Sequence, residues 1–163
     1  MYMELPKRKQ NRLAEYDYST PNAYFITICT ENRKNLLSNI VGGDDLGAPK
    51  ELVLKPYGKI VEKYILSIEK AYDSVMVENY IIMPNHIHLL LLIDTYGLPR
   101  SSAPTIPDVI TALKKLTNRD CKHSLWQRGY MDHIIRNQSD FEHHWNYIEY
   151  NALKEYPLKE ENI

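Results

Sequence analysis

The stretch that most constrains this chain is HIHLLLLI, residues 86–93, entered through Met83, Pro84 and Asn85. Its apolar run falls far short of the roughly 18–20 residues that a membrane span requires. These side chains therefore belong inside a folded domain, in a strand built for burial. Two histidines stand at its mouth. Side chains alternate along a strand, so His86 and His88 project from one face, about 7 Å apart along the backbone. Imidazoles in such a place need a reason.

The preceding segment, SVMVENYIIM, reads as a second apolar strand. Pro84 fixes its own φ and cannot donate a ladder bond, which favours a turn between the two. AYFITICT at 23–30 is a further strand, and SNIVGGDDLGAPK at 38–50, rich in Gly, Asp and Pro, reads as a loop. YGKIVEKYILSIEKAY sets Ile60, Val61, Tyr64, Ile65 and Ile68 at helical spacing. IPDVITALKKLTNR is a second helix with Pro107 and Asp108 near its first turn. SLWQRGYMDHIIRN reads as extended. In the last helix Ser139 and Glu142 form a capping-box pattern, and Phe141, Trp145, Ile148 and Ala152 an apolar stripe. The order predicts an α+β, ferredoxin-like two-layer sandwich: an antiparallel sheet of four to five strands, two helices on one face, and an added C-terminal helix over 138–156. The 163 residues fit a single domain, 1–163, opened by a basic arm over 1–21.

A net charge of −1 argues against holding nucleic acid by bulk attraction. Local clusters still count, because charges are screened over about 10 Å. Lys7, Arg8, Lys9 and Arg12 in the arm, and Lys114, Lys115, Arg119, Lys122 and Arg128 further on, are candidate phosphate contacts. A solvated surface has the same composition. Cys29 and Cys121 make neither a disulfide framework nor a thiolate cluster, which fits a cytoplasmic setting. The N-terminal MYMELPKRKQ lacks an apolar region behind it, and no membrane partner is expected.

Two imidazoles can reach one ion, but a third donor must come from elsewhere. Tyr147 and Asn151 lie four residues apart, on one face of the last helix. Asn151 can offer its amide oxygen. The Tyr147 phenol is a competent nucleophile toward phosphorus once its proton is removed, and a divalent ion can polarise a scissile phosphate. The same spacing allows ordinary packing, with one histidine capping a turn and the tyrosine rimming the apolar stripe. His143, four residues before Tyr147, can position the phenol or stand in solvent.

PNHIHLLLLI, followed 59 residues after His88 by the tyrosine of WNYIEYN, resembles the single-tyrosine transposases of the IS200/IS605 type, and most closely their REP-associated relatives. The resemblance runs over nearly the whole chain, through RLAEYDYSTPNAYFITICTENR and LWQRGYMDHIIRNQSDFEHHWNYIEYN. It implies that His86 and His88 are metal ligands, that Tyr147 is the nucleophile and that Asn151 supplies a further polar ligand. It also implies attack on single-stranded DNA, giving a 5′-phosphotyrosine and a free 3′-hydroxyl, at palindromes folded as hairpins. Mg²⁺ or Mn²⁺ suits phosphoryl transfer with an amide-oxygen ligand better than Zn²⁺ does, while the two imidazoles leave Zn²⁺ as the alternative. REP-associated relatives look like monomers acting in cis, whereas insertion-sequence relatives form dimers; a monomer is expected, with a homodimer as the alternative. One departure stands out: relatives commonly read YxxNP, and here Ala152 replaces the proline. Alanine continues a helix where proline ends it, a difference of about 3 kcal/mol in an interior turn.

The competing class is a non-catalytic nucleic-acid-binding module of the same fold, with a structural HxH, binding DNA without a covalent product. A Zn-dependent hydrolase lacks its usual HExxH or paired cysteines.

Overall fold

The computed structural model describes residues 17, 22–43, 47–99 and 101–156. The arm expected over 1–21, with Lys7, Arg8, Lys9 and Arg12, lies outside them apart from Asp17 and the region after it is described from residue 22. The elements run β1 (Asn22–Cys29), β2 (Ser38–Val41), β3 (Glu51–Leu54), α1 (Pro56–Ala71), β4 (Val75–Ile82), β5 (His86–Ile93), α2 (Ile106–Cys121), β6 (Met131–Ile134) and α3 (Gln138–Asn146). A π turn, Tyr147–Asn151, then leads into the short α4, Ala152–Glu155.

Strands β4-β5-β1-β6 form one antiparallel sheet in that order. This is the ferredoxin-like arrangement the sequence predicts. The alternation of β5 divides its residues between two cores. Ile87, Leu89, Leu91 and Ile93 join Tyr24, Ile26 and Ile28 of β1 against Val61, Ile65 and Ile68 of α1 and Val109, Ile110 and Leu113 of α2. Leu90 points the other way, into a smaller cluster with Ala23, Ile135 and Ile148, flanked by Phe25, Phe141 and Trp145. The C-terminal helical segment thus covers the second face. That explains why β5 is apolar at nearly every position: each face has its own cover.

Two expectations are corrected in detail. Residues 38–50 are not wholly loop, because Ser38–Val41 pairs with Glu51–Leu54 as a separate two-stranded sheet. Four-residue strands give too little alternation to stand out among Gly, Asp and Pro. The last helix is capped not by Ser139 but by Asn137, whose side chain accepts the Asp140 N–H. At α2, Thr105 and Asp108 form the reciprocal capping box.

Near the start of α1 the backbone passes so close to Leu37 that a Cβ on Gly58 would lie 2.0 Å from the Leu37 carbonyl oxygen. A Gly→Ala change in a helix ordinarily stabilises by up to about 1 kcal/mol. Here the sign reverses: Gly58→Ala is expected to destabilise by about 1–3 kcal/mol, seen as a lower urea midpoint with an unchanged slope.

Candidate metal and nucleophile site

The β4-β5 turn is held from both sides. Met83 N–H bonds the His86 carbonyl at 2.9 Å, Thr30 N–H bonds the Asn85 carbonyl at 2.9 Å, and Leu37 N–H bonds the Pro84 carbonyl at 3.0 Å. The histidines are thereby fixed at the head of β5, opposite Cys29 and Thr27 of β1. Their ring centroids lie 4.7 Å apart with planes at 72°. His86 Nδ1 is 2.7 Å from the Asn85 side-chain oxygen. An oxygen there can only accept, so the ring carries its proton on Nδ1 and its lone pair on Nε2. His88 Nδ1 meets the Thr27 hydroxyl at 2.9 Å, and a donation to that oxygen leaves His88 Nε2 bare as well. Such outer hydrogen bonds fix the tautomer of metal-binding histidines.

Burial, assisted by the charge of Arg33, lowers the His86 pKa to about 4. Burial, with His86 and His144 adding to it, lowers that of His88 to about 3. Both rings are therefore neutral at pH 7, the state that can ligate a cation.

Tyr147 arrives from the covering helix. Its ring stands edge-on to His88, 5.4 Å between centroids at 75°, and edge-on to Phe25 at 6.1 Å. Ile148 beside it is buried in the second core. The helix widens here: Ala152 N–H donates to the Tyr147 carbonyl, closing an i→i+5 turn. Single π turns of this kind occur often at functional sites. A proline at 152 could not make that bond; the alanine both continues the chain into α4 and closes the turn. The regular i, i+4 relation expected for Tyr147 and Asn151 is thus replaced by a wider turn, with Asn151 exposed at its end. Burial, with Glu155 adding to it, raises the Tyr147 pKa, so the phenol holds its proton at neutral pH. Tyr150, three residues further on, is exposed beside Trp145.

A second group was not anticipated. His133 at β6 and Asp140 and His144 on α3 bring one donor atom each within 4.8 Å of one another, a set able to coordinate a divalent ion. Asp140 and His144 are four apart on one helix, a spacing legible in the sequence, but the third member comes from a strand whose pairing is not. Burial alone would raise the Asp140 pKa; the Arg136 N–H and His133 outweigh it and the net direction is down. His143, by contrast, is exposed.

The basic residues of α2 and its exit lie apart from these groups. α2 packs on the sheet face opposite His86 and His88. Lys114 donates to the Gln127 carbonyl at 2.9 Å and to that of Gly129. Arg119 bonds Asp120 and the Tyr64 hydroxyl, both at 3.0 Å. Lys115, Lys122 and Arg128 are exposed.

No protein-family model matches the sequence. An uncharacterised protein of Haemophilus influenzae is 28% identical over 166 residues, spanning 90% of this chain and 88% of that relative. A second protein of the same organism, named "Putative REP-associated tyrosine transposase", is 25% identical over 148 residues, spanning 85% of this chain and 74% of the relative. Among solved structures, a REP-associated tyrosine transposase bound to a REP hairpin superposes with a TM-score of 0.62 at 20% identity, covering 88% of this chain and 74% of that one. The chain is thus homologous, at low identity, to a protein named for tyrosine transposition, and shares its fold with a solved one. No helix among the described residues is long and apolar enough to cross a membrane.

The histidine shifts set a pH signature. Both rings are neutral in the fold, whereas in the unfolded chain they take up protons near 6.5. The unfolded state then binds more protons as pH falls, so stability declines from about pH 6.5 downward through the folded values. In EDTA, the urea midpoint is expected to fall between neutral pH and pH 4, and His88→Gln should flatten part of that fall.

Proposed function

We propose that the protein is a metal-dependent single-stranded DNA endonuclease and strand transferase of the transposase kind, acting through Tyr147 at hairpin sites. The observation that carries this reading is the edge-on contact of Tyr147 with His88, which brings the candidate nucleophile to the HxH pair from 59 residues away. The homology to a protein named for tyrosine transposition supports it, and so does a fold shared with a chain that binds a REP hairpin.

The donor set fits a divalent ion: two neutral imidazoles with their Nδ1 atoms engaged and Nε2 lone pairs available, with Asn151 proposed as a further oxygen ligand. Mg²⁺ or Mn²⁺ bound there would neutralise charge on the scissile phosphate. Tyr147 Oη loses its proton and bonds phosphorus, and the bond from phosphorus to the 3′-oxygen breaks. The departing oxygen gains a proton and leaves as the 3′-hydroxyl. Phe25, packed against both Tyr147 and His88, holds the phenol toward the phosphate. The reverse attack by a 3′-hydroxyl rejoins strands without ATP, because the tyrosyl phosphodiester keeps the bond energy. A monomer acting in cis is proposed, with a homodimer as the alternative. Lys115, Lys122 and Arg128 are the exposed cations proposed to meet flanking phosphates.

The test mixes the protein with labelled hairpin DNAs, with and without Mg²⁺ or Mn²⁺, and resolves products on a denaturing gel. A protease-sensitive adduct should form, disappear in EDTA, and fall by at least about a thousandfold in Tyr147→Phe while DNA binding persists. His88→Ala should lose metal-dependent cleavage. Tight binding without an adduct across a broad hairpin set would replace this reading with the non-catalytic module.

A further inference from the structure

We propose that His133, Asp140 and His144 form a second cation site, separate from the HxH pair, for a borderline first-row transition ion of the Zn²⁺ class, and that the bound ion fastens α3 to β6. The donors converge from two elements. His133 Nε2 lies 2.9 and 3.1 Å from the two Asp140 carboxylate oxygens, and His144 Nδ1 lies 3.1 Å from Asp140 Oδ1. A tetrahedral Zn²⁺ with bonds of about 2.0–2.1 Å has donor-to-donor edges of about 3.3 Å, so the edges from Asp140 to the two imidazoles need only slight expansion. All three donors already fall within 4.8 Å of one another. The rings of His133 and His144 stack at 4.6 Å.

The chemistry differs from that of the HxH pair. Two imidazoles and a carboxylate present one negative charge and mixed nitrogen and oxygen donors, the set that suits Zn²⁺ and its neighbours rather than Mg²⁺. The carboxylate is also oriented from outside, by the Arg136 N–H at 2.9 Å. His133 Nε2 faces the Asp140 carboxylate, whereas His144 Nδ1 lies between the Asp140 backbone carbonyl at 2.9 Å and the carboxylate at 3.1 Å, so an ion would take the place of these contacts.

The two groups share one sheet face and one dividing wall. Phe25 is paired with His133 across β1 and β6, stacks on His88 at 5.1 Å and leans on His144 at 4.6 Å. Three residues beyond His144 comes Tyr147. An ion at the second site therefore fixes the helical turn from which the phenol projects, without touching the phenol.

The experiment uses the full chain with the first site removed, as the His86→Ala/His88→Ala double variant. Equilibrium dialysis measures Zn²⁺, Co²⁺ absorption reports ligand geometry, and circular dichroism confirms the fold. The expected result is one Zn²⁺ per chain and a Zn²⁺-dependent rise in unfolding temperature. Adding His133→Ala, or the shape-conserving Asp140→Asn, should weaken binding by more than the roughly 10–100-fold that loss of an outer partner costs, and should cancel the rise. A folded double variant that binds no Zn²⁺, or whose Zn²⁺ survives both further substitutions, overturns the proposal. Because the readout is ion binding, absence of a DNA adduct leaves it untouched.

Discussion

Both histidines of the HxH pair take their position from the pairing of β1 with β5. That register sets Thr27 opposite His88 and Cys29 opposite His86. A slip of one residue would exchange the faces of β5: the histidines would enter the core beneath α1 and α2, and Ile87 and Leu89 would take their place. The slip is opposed at three points. Ile87, Leu89, Leu91 and Ile93 fill one core, Leu90 fills the other, and the turn carbonyls of Pro84 and Asn85 are each bound by an N–H from the β1 side. The position of two polar rings is thus enforced mainly by aliphatic packing.

The same enclosure decides the electrostatics. Rings kept from water resist protonation, and their Nδ1 atoms already have partners in Thr27 and Asn85. Burial raises the Tyr147 pKa by the same physics. Under the proposed function, such a phenol would keep its proton until a phosphate and a cation are present, and its activation would coincide with substrate binding.

Much of the fold was legible because long elements carry strong periodicity. The apolar run of β5, the helical spacing of Ile60, Val61, Tyr64, Ile65 and Ile68, and the stripe through Phe141, Trp145 and Ile148 each announced an element. Short strands did not: Ser38–Val41 was hidden by the Gly- and Asp-rich turn that follows, and β6 occupies only Met131–Ile134 of a longer stretch read as extended. At the site, HxH was legible from strand alternation. The His133, Asp140 and His144 group was not, since it exists only when β6 pairs with β1 at His133 opposite Phe25. The π turn was equally hidden, because no local signal distinguishes it from the α-helix that the same residues would accept.

That wider turn sits between two moorings. Upstream, α3 is tied to β6 through Asp140 and His133; downstream, Lys50 reaches back to the Tyr156 carbonyl at 3.2 Å. Shortening the segment by one residue to give a regular α-helix would rotate everything beyond it by about 100°, and both moorings could not be kept. The extra residue is slack in the line, and it lies where the candidate nucleophile is carried.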